Sequence, residues 1–104
     1  MAQMAAVAKL TAAQGKGDEL AAVIADLVKA VGAGEPDTLV YAAARDNEDT
    51  DVFWFYELYG SAEAAAAHAS GAALADAGQK MRGLLAGRPE VHRLTPIAAS
   101  GLPG

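Results

Sequence analysis

The clearest periodicity in the chain begins just after residue 17. Leu20, Val23, Ile24, Leu27, Val28 and Val31 recur at helical spacing and form one apolar stripe. Asp18 and Glu19 place negative charge where a helix N-terminus favours it. Gly32, Gly34 and the pair Glu35-Pro36 end the pattern.

Elsewhere the pattern shortens to a period of two. In Met4 to Ala12, Val7, Lys9 and Thr11 alternate with Ala6, Ala8 and Leu10, which predicts a first strand. Asp37 to Arg45 predicts a second strand. Val52 to Tyr59 is the strongest strand signal in the chain. The acidic, turn-rich segment 46–51 lies between them, so the pair reads as a hairpin. Ser61 is a good N-cap, with Glu63 in the first turn of a helix over Ala62 to Ala69. Gly71 interrupts this helix, and a second helical segment is expected from Ala72 to Leu85. Gly87-Arg88-Pro89 breaks it before a last short strand from Val91 to Ile97, whose end Pro96 assigns to a sheet edge. Residues 98–104 read as a frayed tail.

The order strand, helix, strand, strand, helix, strand is the split βαβ, ferredoxin-like arrangement. The expected fold is α+β: one domain over 1–104 with its core at 4–97, an antiparallel sheet, and helices on one face.

The third strand adds a constraint. One parity reads Val52, Trp54, Tyr56, Leu58, and the other Phe53, Phe55, Glu57, Tyr59. Both are apolar and aromatic, whereas a sheet with one wet face alternates apolar with polar. The chain has no spare element to cover the second face. A homodimer packed sheet against sheet is therefore expected.

Composition changes this picture in one respect. Apolar residues make up 53% of the 104, but 27 residues are alanine and only six are aromatic. Alanine buries little area, so the core leans on the aromatic strand. The Ala-rich helices would lie opposite Phe53, Phe55, Glu57 and Tyr59. Small residues facing rings mean either close packing or a cavity with a few polar groups, and the pattern permits both.

Charge and residue types narrow the function. With no cysteine, disulfides, thiolate metal sites and a Cys nucleophile are excluded. A net charge of −5 and a pI near 4.8 argue against nucleic acid. No stretch suits a membrane span or a leader peptide, so a cytoplasmic protein is expected. Glu57, His68 and His92 stand 11 and 24 residues apart, which matches no metal-ligand spacing, and no phosphate loop is present. Neither metal nor cofactor is expected.

His68 is the only large polar side chain after Glu63 on its helix. If it faces the sheet, it reaches toward Glu57 or Tyr59 and can handle a proton. The competing reading is a packed or surface histidine. Glu57, in the middle of an aromatic strand, needs a partner such as Arg45, Arg93, His68 or a backbone group. It reads either as a structural ion pair or as a pocket acid or base. Tyr59 and Tyr41 carry the hydroxyls best placed to orient an aromatic ligand, unless they serve as core.

Four stretches together resemble the antibiotic biosynthesis monooxygenase (quinol monooxygenase-like) family of dimeric α+β barrels. They are Ala8-Lys9-Leu10-Thr11 with Gln14-Gly15-Lys16, Thr38-Leu39-Val40-Tyr41, Phe53 through Tyr59 with its central Glu57, and Ser61-Ala62-Glu63-Ala64 through His68 and Ser70. The resemblance implies cofactor-independent oxygenation, in which a phenol or quinol is deprotonated and reacts directly with O2. It implies Tyr59, His68 and Glu57 as catalytic residues and Phe53, Phe55 and Tyr41 as substrate-binding residues. Haem-degrading relatives carry an Asn on the first strand and a His on the second helical segment. Here those regions hold Ala8 and Asp76-Ala77-Gly78-Gln79, so haem is not expected. The alternative function is a non-catalytic dimeric barrel that binds a small hydrophobic ligand.

Overall fold

The computed structural model describes residues 2–101. Its elements run β1 (Met4–Thr11), α1 (Gly17–Gly34), β2 (Thr38–Arg45), β3 (Val52–Tyr59), α2 (Ala62–Ala69), α3 (Ala72–Lys80) and β4 (Glu90–Leu94). The strands form one antiparallel sheet in the order β2-β3-β1-β4. This is the expected ferredoxin-like α+β fold, with β3 and β1 central.

Register sorts the side chains by face. Opposite Phe53, Phe55 and Glu57 of β3 stand Leu10, Ala8 and Ala6 of β1. On the other side of β3, Phe53, Phe55 and Glu57 meet Arg45, Ala43 and Tyr41 of β2. Directly opposed residues share a face. The stripe predicted for α1 buries Leu20, Ile24, Leu27 and Val31 against this face, with Ala77 and Met81 beside them. The helices thus cover the Phe53–Tyr59 parity. The other parity is left open, and Trp54 on it is 38% exposed.

Two elements end more than one residue from where they were expected. The second helical segment stops at Lys80, not Leu85. Gly83 has φ +79, a left-handed conformation that glycine adopts without strain, and it turns the chain back toward β1. There the Ala13 N–H donates to the Leu84 carbonyl, and the Ala86 N–H donates to the Thr11 carbonyl. Leu85 forms an isolated bridge with Ala12 instead of a helical turn. The last strand covers Glu90–Leu94 rather than Val91 to Ile97. Pro96 has no N–H and restricts Thr95, so the ladder with β1 ends at Leu94, and Ile97 is 96% exposed. Residues 98–101 contain no helix or strand; 102–104, the rest of the expected tail, lie outside the described residues. Among the described residues, no helix is long and apolar enough to cross a membrane.

Candidate active site

The site lies between the sheet and α2. The Ser61 hydroxyl caps α2 by accepting from the Ala64 N–H at 3.1 Å. Two turns on, Ala64 and His68 fall on one face at i,i+4, and both are buried. His68 therefore points at the sheet and not at solvent.

The small residues leave space. A cavity of about 290 Å³ is floored by Ala6, Ala8, Phe55, Glu57 and Tyr59 and roofed by Ala65, His68, Ala69 and Leu74. That is near the lower end of the range for small-molecule sites, roughly 300–1,000 Å³. The alanines of β1 and α2 thus create a cavity instead of close packing. Tyr41 also lines it, with its ring 4.8 Å from His68 and 5.5 Å from Phe55, centroid to centroid.

The polar contacts differ from those expected. The Tyr59 hydroxyl donates to Glu57 Oε1 at 2.5 Å. Glu57 thus finds its partner two residues along its own strand, on the same face. Arg45 pairs instead with Asp18 at 2.9 Å and lies over the Phe53 ring. Arg93 also lines the cavity, but no ion pair joins it to Glu57. His68 meets the ring of Tyr59 at 5.5 Å, while its Nδ1 lies 2.8 Å from Oε1 of Glu35. The same Glu35 oxygen accepts from the Thr38 hydroxyl at 3.0 Å.

Burial pushes the Tyr59 hydroxyl well above the ordinary tyrosine range, and its hydrogen bond to Glu57 adds to this. Burial does the same to Tyr41, helped by the charges of Glu57 and Glu35. Both tyrosines are therefore neutral hydrogen-bond donors, not bases. A basic atom in the cavity has to come from His68 or Glu57.

Five of the six expected residues meet at this cavity: Tyr41, Phe55, Glu57, Tyr59 and His68. Phe53 does not line it. It pairs in register with Leu10 and Arg45, where α1 closes the sheet, and is 3% exposed in the core. Glu35 escaped sequence reasoning because Glu35-Pro36 reads as a helix stop. One signal was available. Glu35 is the C-cap of α1, where the helix dipole disfavours a carboxylate, so a compensating partner was needed. Among the described residues, no group of three or more acidic or histidine side chains is arranged to hold a metal ion.

Comparisons with known proteins bear on the family and the fold. Residues 4–80 match the family model described as antibiotic biosynthesis monooxygenase. A Caulobacter crescentus crystal structure described with that family name is 31% identical. It superposes with a TM-score of 0.87 over 93% of this chain and 92% of the other. A Chloroflexus aurantiacus protein with the same description is 28% identical, with a TM-score of 0.82 over 97% and 99% of the two chains. A Nitrosomonas europaea protein of unknown function, 21% identical, shares the fold with a TM-score of 0.86 over 100% and 98%. No curated protein matches the chain.

Proposed function

The chain belongs to the antibiotic biosynthesis monooxygenase family, and we propose that it is a cofactor-independent monooxygenase oxidising an aromatic phenol or quinol, of polyketide-like kind, with O2. The observation that carries this reading is the cavity itself. An apolar, ring-lined space has one imidazole and one Tyr–Glu pair on its walls.

The chemistry asks little more of the protein. Deprotonation makes the substrate electron-rich enough to reduce O2. One oxygen atom enters the ring, and the other leaves as water. A phenol converted to a quinone in this way loses two hydrogens and gains one oxygen, so it supplies all four electrons itself. His68 is the base in this scheme and returns the proton to the departing oxygen. Tyr59, its own proton committed to Glu57, accepts from a substrate hydroxyl and orients it. Phe55 and Tyr41 form the walls that keep water out. The open sheet face is covered by a second copy of the chain, sheet on sheet.

The test is O2 uptake on incubation with a panel of anthrones and quinols, in air and under anaerobic conditions. Turnover in air only is expected. Binding of a ligand with no O2 consumption across the panel would overturn the monooxygenase reading. It would leave a protein that binds a small hydrophobic molecule. His68→Ala and Tyr59→Phe should both lower turnover; unchanged rates would refute the assigned roles while sparing the fold.

A further inference from the structure

His68 stands in the wall between two spaces. On the inner side is the apolar cavity described above. On the outer side is a cleft of about 600 Å³ between the end of α1 and the α2–α3 junction, bordered by Glu35, Asp37, Thr38 and Asp76. Among the described residues, His68 alone borders both.

Glu35 holds the imidazole from the outer side. Its carboxylate can only accept, so the 2.8 Å contact places the ring proton on Nδ1. The other ring nitrogen, Nε2, points away from Glu35 and is hydrogen-bonded to nothing among the described residues. It is also not sealed off, since no buried polar side-chain atom there lacks a partner. The Thr38 hydroxyl fixes the carboxylate by donating to the same oxygen. The second oxygen faces Gly71, where a Cβ would lie 3.7 Å from it and only 3.0 Å from the Ala67 carbonyl oxygen. Glycine at that position keeps the outer cleft open to Glu35. The Glu35 side chain is 19% exposed and that of His68 is 6% exposed, so the charge sits at the wetter end of the pair. Partial hydration lowers the cost of holding a carboxylate there.

We propose that Glu35 is a positioning residue. It fixes His68 as the Nδ1–H tautomer, presents Nε2 as the base inside the cavity, and stabilises the imidazolium formed when Nε2 takes the substrate's proton. The proposal rests on the reading of the inner cavity as the substrate site, but the state of the ring does not depend on finding a substrate. Two-bond 1H–15N correlation spectra of the uniformly labelled protein report the tautomer directly. His68 is assigned by comparison with His92→Gln. At about pH 8.5, above the usual imidazole titration, wild-type His68 should show a single Nδ1–H form. Glu35→Gln, whose side-chain oxygen still accepts, should keep that form. Glu35→Ala should give a mixture or the Nε2–H form. A wild-type Nε2–H tautomer, or an unchanged tautomer in Glu35→Ala, would overturn the proposal. The wild-type spectrum decides even if the alanine variant fails to fold. Where a substrate is turned over, Glu35→Ala should lower kcat by about a hundredfold with KM little changed. A loss confined to KM would count against the proposal.

Discussion

Strand β3 presents aromatic residues to both sides, yet its two faces have different fates. Phe53, Phe55 and Tyr59 are each 3% exposed beneath the helices. On the other face Val52 and Leu58 are shielded, Tyr56 is half-buried and Trp54 is exposed. The covered face has large residues opposed by alanine, which makes a cavity. The open face is an apolar surface continued by Val7, Val40, Ala42 and Ala44, with polar groups at its border. There the Trp54 indole N–H donates to Asp46 and holds that carboxyl below its usual range, helped by the backbone N–H groups of Asp49 and Glu48. Lys9 lies over the same indole ring. Equal hydrophobicity therefore does not mean equal function. What packs opposite a strand decides whether its rings become core, pocket or interface.

The sharpest way to break this contrast is to empty the covered face. Phe55→Ala removes a ring packed against Tyr41 and should cost about 3–5 kcal/mol of unfolding free energy by urea denaturation. A loss below about 1 kcal/mol would mean that this face is not the core it is taken to be.

The open face should respond in assembly rather than in fold. Light scattering on the wild type should give a dimer mass. Ala42→Glu and Tyr56→Asp place charge on the open face, where a second copy is proposed to pack, and each should weaken the dimer at least tenfold, about 1.4 kcal/mol. Thermal unfolding of the monomer should change less. A monomeric wild type would remove the distinction between an interface and a merely exposed face.

Placement of α2 over the cavity depends on its cap. Ser61→Ala should cost about 1 kcal/mol, read as a lower midpoint in denaturant. Glu63 remains in the first turn, so the helix itself should persist by circular dichroism.

The smallest effect is in alkaline pH dependence. Tyr41 and Tyr59 on the covered side have hydroxyls raised above the usual 10.0. A raised folded-state value leaves their contribution intact below pH 10. It is then lost as pH rises from there toward the folded-state values, because the unfolded chain releases its proton first. Up to about pH 10 the loss should be only a few tenths of a kcal/mol per tyrosine. Tyr41→Phe should flatten the fall in stability; an unchanged slope would show that Tyr41 is not desolvated.

Much of this fold was legible because its signals are local. The stripe from Leu20 to Val31, the Ser61 cap and the aromatic run of β3 each report their own element through spacing a few residues long. Five of the six expected site residues also came together, since strand parity and helical period fix which side chains share a face. What escaped was set by partners distant in the chain. Phe53 has the parity of Phe55 and Tyr59, but α1 covers it where α2 leaves the others free. The α3 segment ends early because Gly83 lets the chain return to β1.

Glu35 illustrates the division most clearly. Helix period, strand parity and the shortage of large apolar residues are written in the sequence, because they follow from neighbours along the backbone. The pairing of His68 with a carboxylate 33 residues away is not, because packing α2 and the end of α1 against one sheet brings the two within 2.8 Å. The chain alone determined a sheet with helices on one side and a histidine as the one large polar residue late in the helix over it. Only the tertiary structure decided that this histidine turns inward and which carboxylate holds it.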